Sequence, residues 1–232
     1  MSKNAGELPF ARQLKFFGFL GLLASIMVGT GEYLIHFNPD GFPHDVPYSY
    51  FLGLPPERFT LGQFLMVPFI PLYIFGYWHL YLALRPGSEK LAKAVLILGI
   101  YAFVIGGIWV GSRAHLGATI QALEAANVPD LKAQIIASYE LRVESLVQIL
   151  RIIVLAISVC FVWAILRGGT LYPKWVALFN PILLLIIVFV LFFYVHPIGR
   201  CLAPTAMNVA HFGLFSASLF ALKNYPSKTQ SS

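Results

Sequence analysis

The sequence predicts an all-α integral membrane protein, one domain over residues 1–232 built as a polytopic bundle of about six transmembrane helices. Three observations predict it. Hydrophobic residues make up 58% of the chain and charged ones only 11%, with a mean hydropathy of +0.75, against about a quarter charged in soluble domains. Six stretches are apolar over the roughly 20 residues a membrane helix needs to satisfy its backbone within hydrocarbon. Lys and Arg fall in the breaks between those stretches rather than along one face, so the nominal charge of +6 does not describe a nucleic-acid surface.

The first stretch, Leu14 to Phe37, exceeds a signal-peptide core and is followed by no small-residue cleavage site, so it is read as a retained helix. The second, Phe59 to Leu84, contains Pro68 and Pro71; apolar sequence continues on both sides, which predicts a kink rather than a break. The third, Leu91 to Leu116, carries Gly106, Gly107 and Gly111, small residues that let membrane helices approach. Leu146 to Leu166, Trp175 to Val195 and Ala203 to Leu222 complete the set. Between the third and fourth, residues 119–137 place Leu123, Leu131, Ile135 and Ile136 on one side and Glu124, Asp130 and Lys132 on the other, the pattern of an interfacial helix. The proline-rich loop 38–57 is too long for a tight turn, and its His44 and Asp45 are minor candidates.

Positive residues favour cytoplasmic loops. With the N-terminus inside, that side holds Lys3, Arg12, Lys15, Arg85, Lys90, Lys93, Arg167, Lys174, Lys223 and Lys228, ten of the 16 basic residues. An even number of crossings then puts both termini in the cytoplasm. Tyr77, Trp78, His79, Tyr172 and Trp175 fall where interface anchors belong.

This orientation gathers the ionisable residues at the outer side. Five of the six histidines lie there. Helical spacing aligns Ser25, Gly29, Glu32 and His36 on the first span, and Ser112, His115 and Thr119 on the third with Arg113 turned away. On the fourth, Glu140, Glu144, Gln148, Arg151 and Ser158 form a stripe; on the sixth, Thr205, Asn208 and His211 do. Ionisable groups at this depth cost about 2.5–3.5 kcal/mol each on insertion scales, so they turn towards a bundle interior. The expectation is a polar cavity open to the extracytoplasmic side.

Several functions fit that cavity. A metal-dependent hydrolase or transferase acting on a lipid or other amphipathic substrate would use His36, His115 and His211 as ligands to zinc or a similar divalent ion, Glu32 or Glu144 as general base, and Arg151 or Arg113 to hold an anionic group. A proton-coupled carrier or binding protein would attract a small organic anion to Arg113, Arg151 or Arg200 and protonate Glu144 or Glu32; the small size suits a homo-oligomer. A b-type haem would need one imidazole from each of two helices, such as His115 and His211, and a structural subunit would need only the packing. Soluble-enzyme motifs are missing: no His-Glu-x-x-His, Gly-x-Ser-x-Gly, Walker A loop or Cys-x-x-Cys occurs. Two cysteines, Cys160 and Cys201, exclude a thiolate metal cluster by count and imply no disulfide.

The Gly31-Glu32-Tyr33-Leu34-Ile35-His36 ending of the first span, with the six-helix layout, resembles bacterial integral membrane families of unknown function in which a Gly-acid pair ends the first helix. That resemblance implies a bacterial inner-membrane location and carries no activity. The chain is less similar to the seven-helix membrane hydrolases that include alkaline ceramidases, since its last span has the single His211 in place of a paired His-x-x-x-His.

Overall fold

Helix starts and stops follow local chemistry. The computed structural model describes residues 7–39 and 47–225, so His44 and Asp45 lie outside it. Helix α1 spans Glu7–His36, and after a 3-10 turn at Ser49–Phe51 come α2, Pro56–Met66, and α3, Leu72–Leu84. Helix α4, Glu89–Ala125, starts at Ser88, whose hydroxyl accepts from the Leu91 amide while Glu89 sits on the positive end of the helix dipole. Helix α5, Pro129–Tyr139, runs through a π-helical turn at Glu140–Glu144 into α6, Ser145–Arg167. Gly168 and Gly169 end α6 with φ of 86° and 78°, a conformation open to residues without a Cβ. Asn180 caps α7, Pro181–Tyr194, by accepting from the Leu183 amide; α8, His196–Leu202, and α9, Ala206–Ala221, close the chain. Among the described residues the fold is all-α.

Three helical runs are long and apolar enough to cross a membrane: Phe10–His36, Glu89–Ala125 and Pro129–Arg167. The other three apolar stretches are divided, each beside a proline that removes a backbone donor. The kink expected at Pro68 and Pro71 is a break: helical hydrogen bonding lapses between α2 and α3, and tighter bonds such as Phe69 N to Met66 O (3.0 Å) and Leu72 N to Phe69 O (3.0 Å) bridge the gap. Likewise Lys174–Phe179 is a 3-10 segment ahead of Pro181, and Ala203–Thr205 another around Pro204. The expected interfacial helix at 119–137 does not form as a unit, because α4 continues to Ala125 and α5 joins α6.

The six longest helices close a ring in the order α1, α3, α4, α6, α7, α9, with α2 lying on α1 and α4. Lys15 Nζ donates to the Lys223 carbonyl (2.8 Å) and the Leu171 amide to the Ala83 carbonyl (2.9 Å), which gathers the start of α1 with the end of α9, and the end of α3 with the segment after α6. Helix backbones come close at α8 on α7 at Gly199, and at α1 on α3 at Gly21 and Gly76 and α1 on α2 at Gly31 and Gly62, where an added Cβ would meet the facing backbone at 2.6–2.8 Å. Gly106, Gly107 and Gly111 are not such positions: a Cβ there meets nothing nearer than 3.4 Å. Outward, Phe16, Ile97, Val104, Ile152, Trp163 and Phe193 stand exposed, an apolar exterior suited to lipid.

Candidate functional site

The stripe expected on the first span is real and faces inward: Ser25, Gly29, Glu32 and His36 are all buried. So are Thr205, Asn208 and His211 on the last. Where the two stripes meet, Glu32 Oε2 accepts from Asn208 Nδ2 (2.6 Å), and Asn208 Oδ1 accepts from the Tyr73 hydroxyl of α3 (2.5 Å). One turn along α9, His211 Nδ1 donates to the Met207 carbonyl (2.8 Å). Its Nε2 is therefore the acceptor for the Tyr77 hydroxyl (2.9 Å). No Lys or Arg among the described residues comes within ion-pair distance of Glu32, which lines a cavity of about 50 Å³ together with Asn208, Trp109 and Met207. That volume holds a water and little more.

A second cluster lies beyond it, at the end of the bundle where α1 finishes. The Arg113 guanidinium stands 4.7 Å from the Trp109 ring centre, 5.2 Å from Tyr48 and 6.0 Å from Tyr139. Its Nη1 is 3.1 Å from Glu144 Oε1, with Arg113 11% and Glu144 28% exposed. Glu144 is also held by the Tyr48 hydroxyl (3.2 Å) and the Trp109 indole N–H (3.3 Å). Arg113 Nε and Nη1 are nonetheless buried without an aligned acceptor, so the contact with Glu144 is an ion pair rather than a formed hydrogen bond. The His36 ring stacks near Trp109 (6.0 Å, 29°), and its Nε2 is likewise buried without a partner. In a site closed to water, such atoms are the ones that a bound group would satisfy.

Tyr48 and Tyr50 close this cluster from the loop. Burial and the Glu144 carboxylate hold the Tyr48 phenol above its ordinary value; burial pushes Tyr50 up to about 12, against the pull of Arg113. A raised phenol contributes stability below its unfolded value of about 10 that is lost as pH rises towards the folded value. Wild type should therefore lose thermal stability between pH 10 and about 12 more steeply than Tyr50→Phe, in melts followed alongside tyrosinate absorbance. Parallel curves would remove Tyr50 from the account.

The expected site residues divide into those the fold gathers and those it does not. Glu32, His36, Arg113, Glu144 and His211 lie along the interior from the end of α1 inward. His115 and Arg151 do not join them. Arg113 points in, opposite to the expected phase, and a residue two positions along a helix lies nearly on the other side, so His115 is exposed. Arg151 is exposed too, its Nη1 donating to Gln148 Oε1 (3.2 Å). The π-helical turn takes Glu140 off the face of Glu144, and Gln148 and Arg151, on the regular helix after it, are exposed, so the fourth-span stripe does not form. His36, His115 and His211 thus present no common ligand set, His115 and His211 do not oppose each other as a haem pair would, and no group of three or more His, Cys, Asp or Glu close enough for a metal ion exists among the described residues. Arg200 and His196 are exposed on α8.

Sequence reasoning missed the aromatic partners. Tyr77, His79 and Tyr172, expected as interface anchors, are buried, while Trp78 and Trp175 at 40% and 39% exposure behave as expected. His79 Nδ1 donates to the Leu14 carbonyl (2.8 Å), which leaves Nε2 to accept from Ser218 Oγ (2.6 Å), and the Tyr172 hydroxyl donates to Ser218 (2.6 Å). The available signal was spacing: Tyr73 with Tyr77, and Trp109 with Arg113, each four residues apart and so on one helical face.

The whole of this arrangement falls within one family match, which covers residues 1–225. The chain belongs to the DUF6796 family, a family of unknown function. No curated protein and no solved structure matches it.

Proposed function

We propose that the chain crosses the membrane six times with both termini in the cytoplasm, and binds a small organic anion from the outer side at Arg113, with Glu32 one layer deeper as the group that takes up the accompanying proton. One observation carries this reading: a guanidinium 11% exposed, boxed by Trp109, Tyr48 and Tyr139, whose Nε and Nη1 have no aligned acceptor. A ligand carboxylate supplies what Glu144 does not, two acceptor oxygens in the guanidinium's own plane. Glu144, 28% exposed, gives up Tyr48 and Trp109 and turns to water as the ligand replaces it. Behind the box, a carboxylate with no cation beside it is costly while charged, and a proton removes that cost as the anion arrives. The positive bias of the loops on one side supports the orientation. The hydrolase reading has no such observation behind it, since its three imidazoles do not converge.

The test is uptake of benzoate and short mono- and dicarboxylates into liposomes, with an internal pH dye, alongside binding followed by tryptophan fluorescence. Arg113→Met should weaken binding more than tenfold, in line with the roughly 2–5 kcal/mol lost when one partner of a buried charge contact is removed. Glu144→Gln should tighten it several-fold by removing the internal competitor, and Glu32→Gln should abolish the acidification inside the vesicles without abolishing binding. Uptake no better than in empty vesicles, or an unaffected Arg113→Met, would sink the proposal.

A further inference from the structure

Independently of the Arg113 site, α1 and the α8–α9 corner leave a groove of about 540 Å³ on the outer surface of the ring, within the range of about 300–1,000 Å³ usual for ligand sites. It follows α1 from Tyr33 to Ser25, about 12 Å at the helical rise. Ile26, Val209 and Phe212 form its walls, and Thr205 and Asn208 give it a narrow polar floor beside Gly29, where an added Cβ would touch both (3.2 Å and 3.0 Å). No charged residue lines it. Two cations stand at the Tyr33 end. Arg58 reaches over the end of α1, Nη2 donating to the Phe37 carbonyl (2.9 Å) while its buried Nε has no partner. Arg200 is exposed beside Cys201, which lines the groove next to Tyr33.

We infer that this groove holds one acyl chain of an anionic phospholipid, with the phosphate at Arg200 and Arg58. The placement matches the chemistry of that molecule: apolar walls along the helices for the chain, and guanidinium groups that bind phosphate in their own plane at the end of the groove. A zwitterionic lipid gains the same apolar contact, and its own cation offsets the charge term. The groove floor also shares Asn208 with the hydrogen bond to Glu32, so the chain lies one side chain from the buried carboxylate.

Cys201 provides the reporter, because it is exposed in the groove wall and Cys160 is the other thiol. The measurement is the rate at which a small maleimide modifies Cys201 in the full-length Cys160→Ser protein, in micelles doped with phosphatidylglycerol or with phosphatidylcholine. Phosphatidylglycerol should slow labelling several-fold relative to phosphatidylcholine, Arg200→Gln should erase most of that difference, and Thr30→Trp, which fills the groove, should remove lipid dependence altogether. Equal rates in the two lipids overturn the inference, as does full selectivity in Arg200→Gln. Should Cys160→Ser fail to give monodisperse protein, lipid retention by the unmodified chain and by Arg200→Gln in native mass spectrometry reads the same selectivity. Arg113→Met leaves the protection unchanged, so this outcome and that of the organic-anion assays fail or succeed separately.

Discussion

Gly21→Ala should destabilise the protein by about 1–3 kcal/mol, and Gly21→Leu should yield no monodisperse protein at all. The added Cβ at Gly21 lies 2.6 Å from the Gly76 backbone and 3.0 Å from the Phe215 ring, so α1, α3 and α9 would all have to part. A flexible side chain could swing aside; a facing helix backbone cannot, and overpacking of this kind costs on the order of 1–3 kcal/mol or more. Gly106→Ala is the matched control. Its Cβ meets only Leu150 Cδ2 at 4.0 Å, beside the small interior cavity, and loss of glycine's unfolded-state entropy should make it neutral or stabilising by up to about 1 kcal/mol. Thermal melts in detergent with size-exclusion chromatography decide the matter. Equal melting temperatures for Gly21→Ala and wild type would mean the helices do not touch there.

His79→Phe is expected to have the next largest effect, about 2–4 kcal/mol. Phenylalanine fills the space but leaves the Ser218 hydroxyl proton without its acceptor and strips the Leu14 carbonyl of its second bond in a fully buried spot, and an unsatisfied buried group costs about 1–3 kcal/mol. Single hydrogen bonds between membrane helices average only about 0.6 kcal/mol; the larger figure is expected because one imidazole ties α1, α3 and α9 together, with Tyr172 attached through Ser218. In the double variant with Ser218→Ala the two losses should not add, since both remove the same bond. Trp78→Phe, on the exposed side of the same helix, should cost almost nothing. Additive losses would show that His79 and Ser218 act apart.

Hydropathy made the helical architecture legible, and helical spacing placed Glu32, His36, Asn208 and His211 on inward faces, because in a straight α-helix phase is a property of sequence alone. Phase failed where the helix was not regular or where a neighbour decided the facing. Across the π-helical turn Glu140 and Glu144 no longer share a face, and Arg151 was left outside although Ser158, seven residues on, is buried. On α4 the same pattern could have turned either Arg113 or His115 inward; the aromatic walls of Trp109, Tyr48 and Tyr139 give the guanidinium its contacts, and two of those residues lie in other elements. The aromatic residues near the ends of spans misled for a related reason: a tyrosine beside a membrane boundary suits the interface and a hydroxyl-accepting core equally, and only packing tells Tyr77 from Trp78. The broken spans were written in the prolines: each divided stretch contains one or two beside its break, and the three undivided stretches contain none.

The π-helical turn also bears on how much the chain's length can vary. Surface positions ordinarily tolerate a residue more or less, and Leu141 is 76% exposed. Yet between 140 and 144 a one-residue deletion would restore regular winding and turn everything before it by about 100° relative to α6. Tyr139 would turn away from Ser112 and Arg113, and the guanidinium would lose one of its three aromatic walls. Here the number of residues, more than their identity, is what keeps the aromatic box closed.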